Sequence, residues 1–240
     1  MITVSPDVSV VERELGDGLL LCPVEGCGGR VGGWGRARTR TVFTAVAGRV
    51  SGRVTVTPRR GRCRRCKATQ VLLPAGLVCR RMDGAGVIEA AVGLAAGGTG
   101  HRKVAARLGR PVSTVRDWLR AARRVAGLGL GAWARLALSV SGDAARVWPT
   151  GTGGDPLAGW VGFCRALADA MTRRWGRPSP WFTLITAACR CRVLQTGWWA
   201  QHEPALPAVF LPGQGWNRVR HGPDQPLEDE REVPDGCADT

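Results

Sequence analysis

The 240 residues, 44% of them hydrophobic, are enough for one or two compact units with a modest core and connecting segments. A formal charge of +15, from 34 basic against 19 acidic side chains, points to a polyanionic partner, either nucleic acid or an acidic membrane surface. There is no apolar run of about 18 residues, no signal-like N-terminus and an odd number of Cys, nine, so a membrane span, secretion and a disulfide framework are all disfavoured; a cytoplasmic, nucleoid-associated protein is expected.

Residues 1–20 read as a short polar arm carrying Asp7, Glu12, Glu14 and Asp17. Residues 21–76 are then expected to form a small β zinc ribbon. Structural zinc takes four soft ligands in a tetrahedron, commonly from two short chelating turns, and Cys22, Cys27, Cys63 and Cys66 form two such pairs. Cys63 and Cys66 have the usual two-residue spacing; Cys22 and Cys27 are separated by four residues, which makes theirs the weaker half-site. Pro23 and the glycines after Cys27 let backbone N–H groups fold back toward sulfur. Between the pairs, residues 41–46 and 53–57 are short, β-branched and bounded by Gly or Pro, which predicts a hairpin, and residues 70–73 predict a third strand. Residues 22–84 hold 14 basic and 2 acidic side chains, so Arg59, Arg60, Arg62, Arg64 and Arg65 are expected to touch phosphate. A redox role for the C-x-x-C pair lacks the surrounding βαβ pattern it would need.

Residues 84–138 change character and predict a three-helix helix-turn-helix domain. The apolar stripe Val87, Ile88, Ala91, Val92 and Ala95 belongs to a supporting first helix. In the pair that follows, Ala105 is small enough for two helices to cross, and Gly109 tolerates the positive φ of the turn. Val104 and Leu108 from one helix, with Val115, Trp118 and Leu119 from the next, close the core, and Ser113 reads as an N-cap. The second helix of such a pair enters the major groove, so Thr114, Arg116, Asp117 and Arg120 are the candidates for base edges, with Arg116 leading for guanine. Arg102, Lys103, Arg110 and Ser113 are the candidates for phosphates. His101 reads as opening a helix, where it would meet phosphate or water.

Residues 139–155 read as a linker. Residues 156–200 return to helix, with a stripe of Leu157, Trp160, Val161, Cys164, Leu167, Ala168 and Met171, and a second helix starting after Ser179 and Pro180 and running to about Cys191. Residues 201–240 are rich in Pro, Gly and acids and predict a disordered tail that could fold over the basic surface. Cys79, Cys164 and Cys237 read as buried or incidental thiols, and Cys189 and Cys191 with His202 or His221 make a poor metal set. A transposase or nuclease needs clustered carboxylates for two metals; between Arg120 and Arg220 the acids are only Asp143, Asp155, Asp169 and Glu203, scattered without a strand series, so no enzyme is expected.

The run from Cys22-Pro through Cys27-Gly-Gly and Trp34-Gly35, then Arg-Arg-Gly-Arg-Cys63-Arg-Arg-Cys66, Thr-Gln-Val-Leu-Leu-Pro74 and residues 100–119, resembles bacterial transposase-like proteins with an N-terminal zinc ribbon and a helix-turn-helix. The resemblance covers roughly residues 20–125, extends less specifically to Ser179-Pro-Trp181, and implies DNA binding related to insertion-sequence transposases. The expectation is therefore a mainly α chain with a small N-terminal β zinc ribbon, a three-helix core and a helical C-terminal region. It would bind double-stranded DNA with structural zinc, as a regulator or transposase-related protein, and a homodimer is allowed. Two alternatives stay open: an RNA-binding zinc-ribbon protein, and a protein-interaction adaptor using the Trp-rich C-terminal half (Trp160, Trp175, Trp181, Trp198, Trp199 and Trp216).

Overall fold

The computed structural model describes residues 1–46, 48–127, 155–175 and 181–189. These residues form six helices and six short strands. Expectations for residues 128–154, for Ser179 and Pro180, and for residues 190–240, including the acidic tail, His202, His221, Cys191 and Cys237, lie outside the described residues. No helix among those described is long and apolar enough to cross a membrane.

The first correction concerns the N-terminus. Residues 1–20 are not a polar arm: β1 (Ile2–Val4) adds in parallel to β6 (Thr69–Pro74), with Ile2 opposite Leu72. The helix α1 (Val8–Gly16) starts on an Asp7 side chain that accepts from the Ser9 N–H at 2.8 Å, a conventional N-cap. Val10, Val11 and Leu15 of α1 are buried. Arg59 locks the helix onto the sheet, its Nε 2.6 Å and its NH2 3.0 Å from the two carboxylate oxygens of Glu12.

The N-terminal sheet runs β1-β6-β5-β2, with β2 (Val31–Arg36) and β5 (Arg59–Cys63) antiparallel. The expected hairpin is present as β3 (Arg40–Val46) and β4 (Arg49–Val56), a separate two-stranded ribbon. The third expected strand is present as β6, but it pairs with β5 and β1 and not with the hairpin. One face of the hairpin buries Val42 against Leu73 and Leu77, while Phe43, Ala45 and Val50 pack on the helical core.

The helices α2 (Ala85–Ala96), α3 (His101–Leu108) and α4 (Val112–Ala126) follow, then α5 (Pro156–Trp175) and α6 (Trp181–Ala188). α2 packs against the hairpin and against α3, α4, α5 and α6. Its apolar composition all round follows from that position, because a helix with neighbours on every side has little solvent face to make polar. The stripe expected on α5 is buried throughout, and Trp160, Trp181 and Phe182 meet edge to face at 5.9 and 5.4 Å. Trp160 and Trp181 therefore belong to a helical core, as does Cys164, whose thiol is pushed well above its usual range by burial.

Candidate metal centre and nucleic-acid interface

The β2–β5 register brings the two cysteine pairs together. Val31 stands opposite Cys63, so the turn that precedes β2 and the turn that follows β5 lie at the same end of the sheet. The first turn is closed by the Cys22 N–H donating to the Gly29 carbonyl at 2.8 Å, the second by the Cys63 N–H donating to the Ala68 carbonyl at 3.0 Å. In each, the residue after the second cysteine is left-handed: Gly28 at φ 58° and Lys67 at φ 62°. The two extra residues of the wider pair are absorbed in a tight turn, with the Cys27 N–H donating to the Val24 carbonyl at 3.1 Å and Gly26 at φ 69°.

The four sulfurs lie within 4.8 Å of one another. Cys22 and Cys66 Sγ are 3.6 Å apart, as are Cys27 and Cys63 Sγ. A metal bound by four thiolates at about 2.3 Å holds them about 3.8 Å apart, so the cluster is compatible with a tetrahedral zinc site. The local backbone is built around it. A Cβ on Gly29 would come within 2.7 Å of Cys63 Sγ, so only glycine fits there. The N–H groups of Arg65 and Cys66 point at Cys63 Sγ from 3.3 and 3.4 Å. Burial acts to raise the Cys63 thiol, but those N–H groups together with hydrogen bonds from the Cys66 and Cys27 thiols hold it at about 6, whereas burial pushes Cys22 up to about 12. Among the described residues no other group of three metal-ligating side chains forms. Asp155 instead caps α5, accepting from the Leu157 N–H at 3.0 Å, and Asp169 is exposed on that helix.

The second region is α3 and α4. Gly109 ends α3 in the left-handed region at φ 59°, and Val104, Ala105 and Leu108 are buried against Val115, Trp118 and Leu119 of α4. The helix α4 begins two residues earlier than expected, flanked by Pro111 without a side-chain cap, so Ser113 is an exposed first-turn residue and not the N-cap. Arg116, Asp117 and Arg120 are exposed and Thr114 is half-buried. Arg123 and Arg124 continue the same stripe at helical spacing, a continuation the period of 3.6 already carried. Arg102 and Lys103 are exposed at the start of α3, where His101 is half-buried.

Arg110 is a correction. It does not face solvent: its Nε lies 2.7 Å from Asp83 Oδ1, and its guanidinium sits 3.5 Å from the centroid of the Phe43 ring. The two charged side chains are only 11% and 12% exposed. Phe43 is bonded into the same junction, its N–H donating to the Met82 carbonyl and its carbonyl accepting from Gly84. Arg110 therefore clamps the turn between α3 and α4 to the hairpin. Burial raises the Asp83 carboxyl despite Arg110, and burial likewise raises Glu89 of α2, whose Oε2 accepts from the Phe182 N–H at 3.1 Å.

Several of the ribbon arginines are also engaged. Arg59 holds Glu12, Arg62 stacks 4.5 Å over the Trp34 ring, and Arg65 donates to the Cys27 carbonyl at 2.7 Å. Arg60 and Arg64 remain exposed. No protein-family model, curated protein or solved structure matches the chain.

Proposed function

We propose that the chain binds double-stranded DNA, with α3 and α4 acting as a helix-turn-helix and zinc held by Cys22, Cys27, Cys63 and Cys66. The observation that carries this reading is the sidedness of α4. Val115, Trp118, Leu119, Ala122 and Val125 are buried, while Ser113, Arg116, Asp117, Arg120, Arg123 and Arg124 form one exposed stripe with four cations to one carboxylate. A helix anchored on one side and basic on the other suits insertion into the major groove, where an arginine can bond guanine O6 and N7 together. Arg102 and Lys103, at the N-terminus of α3, suit phosphate contacts that set the register. The zinc ion would link the two cysteine turns and so fix the ribbon; it has no chemical step to perform.

Relatedness to transposase-like proteins is part of the proposal, in the form of their DNA-binding portion without a cutting domain. The role is then that of a regulator or of an accessory to a mobile element, within the cytoplasm. Selection from a random duplex library, followed by affinity measured against salt, tests this directly. A defined motif and a log–log salt slope corresponding to several phosphates are expected. Enrichment of no motif, or stronger binding to single-stranded RNA than to duplex DNA, would overturn it.

A further inference from the structure

A second basic feature, formed by residues outside α4, is assigned by neither the sequence reading nor the helix-turn-helix geometry. A cavity of about 510 Å³ opens between the hairpin tip, α2, α3, α5 and α6, and a second of about 550 Å³ adjoins it, sharing Gly48, Arg49 and Arg107. Arg49, Arg107 and Arg165 line the first cavity, each from a different element, β4, α3 and α5. Among the described residues none of the three forms an ion pair, in contrast to Arg59 and Arg110. Among the described residues one carboxylate lies in the lining, Glu89, which accepts from the Phe182 N–H and is also attracted by Arg165.

The floor of the cavity is made by close approach. A Cβ on Gly86 would meet the Ala45 carbonyl at 3.3 Å, and one on Gly93 would meet Arg165 NH2 at 3.1 Å. Gly86, Ala90 and Gly93 recur along one face of α2, so the hairpin and the Arg165 guanidinium lie directly on the helix backbone. Lys103 stands one turn from Arg107 on α3, and Arg102 and Lys103 line a further cavity at the turn before α3. The cations thus form a track along α3 that ends between Arg49 and Arg165.

We infer that this track holds phosphates of a nucleic-acid backbone, as a second, sequence-independent grip on the duplex read by α4. Three guanidiniums against one carboxylate, spread over two joined cavities, match a row of oxyanions better than a single small anion. Base stacking is not part of it, since Trp181, the one aromatic side chain in the lining, is buried against Trp160 and Phe182. The inference rests on the DNA-binding reading and extends it, since Arg49, Arg107 and Arg165 are not among the residues that reading uses.

The test compares the full-length protein with the triple variant Arg49→Ala, Arg107→Ala, Arg165→Ala and with Arg13→Ala, Arg80→Ala, Arg173→Ala, which loses the same charge from exposed positions elsewhere. Binding is measured to a random-sequence duplex, to the selected motif and to inorganic polyphosphate, over a series of salt concentrations. The triple variant should weaken on all three probes alike, with its salt slope on duplex shallower by roughly 2 to 3, about 0.9 per lost contact, and its preference for the motif unchanged. Arg49→Ala and Arg165→Ala singly should each remove about one such contact, which keeps the test decisive if the triple variant folds poorly. Equal binding by the triple variant and its charge-matched control would overturn the groove while leaving DNA binding by α4 standing. A wild-type protein that binds no duplex would remove the DNA reading. Polyphosphate binding lost in the triple variant but not in the control would then still support a phosphate groove, and equal loss in both would refute it.

Discussion

Among the described residues, three of the eight buried in the core that α1 shares with the sheet are cysteines, against two of 29 in the helical core. The N-terminal half is a thin sheet in which β2 and β5, Val-Gly-Gly-Trp-Gly-Arg and Arg-Arg-Gly-Arg-Cys, bring little apolar surface. The helical half surrounds an almost wholly apolar α2 with four other helices, and the N-terminal half lays its hairpin against that helix. Small units with little to bury rely on cross-links or metals, whereas larger ones rely on apolar area. The two halves should therefore fail under different insults, and Arg110, Asp83 and Phe43 are where one half holds the other.

Removing the proposed metal should break this comparison most sharply. Binding of structural zinc carries about 10 kcal/mol or more in small metal-folded units. Chelation, or Cys63→Ser, should expose the segment before residue 80 to limited proteolysis while α2 to α6 stay protected. A protease map unchanged by chelator, with no zinc in the native mass spectrum, would contradict the metal assignment. Trp118→Ala should do the reverse. Trp118 is 0% exposed, and truncating a buried Trp costs about 3 to 5 kcal/mol. Its urea midpoint should fall with zinc content unchanged.

Next comes the junction. Arg110→Ala strands Asp83 beside Phe43, and breaking a buried pair costs about 3 kcal/mol or more. Asp83→Asn should cost less, because burial already disfavours the charged form of that carboxyl. Differential scanning calorimetry should show the two halves melting separately in Arg110→Ala. A single unchanged transition would mean that the clamp carries no coupling. Arg116→Ala should leave stability alone and reduce discrimination at one base position by about 1 to 3 kcal/mol, read by competition between duplexes.

The smallest effect is in pH. Asp83 and Glu89 both have raised pKa values in the fold, so each keeps its proton to higher pH folded than unfolded. Their ionisation subtracts stability as pH rises through the raised values, and stability returns as pH falls toward the ordinary carboxylate range. The helical half should gain slightly in urea midpoint on mild acidification, a gain reduced in Glu89→Gln. A loss instead would show that other carboxylates dominate there.

The legible parts of the sequence were those specified locally. Ala105, Gly109 and the spacing of Val115, Trp118 and Leu119 announce two crossing helices because each obeys a short-range rule of period or turn. The same holds for the alternating residues of β3 and β4. The cysteine cluster could be read as a set of types, but only the Val31–Cys63 register puts the wider pair within reach of the narrower one. Residues 1–20 looked polar because α1 buries only a short stripe and β1 is three residues long, too little for any periodicity to register. The strands β2 and β5 are rich in Gly and Arg, so pairing and not propensity makes them strands. Arg110 looked like a surface cation because its partners, Phe43 and Asp83, are distant in sequence; composition marks where charge is, not which charges are already satisfied.

DNA binding of the proposed kind requires the exposed face of α4. Backbone and Arg Nε resonances of the full-length protein, followed by NMR as the selected duplex is added, should shift at Ser113, Arg116 and Arg120, with Trp118 and Val125 moving far less. Shifts confined to other elements, or a duplex that binds without disturbing Arg116 and Arg120, would contradict it.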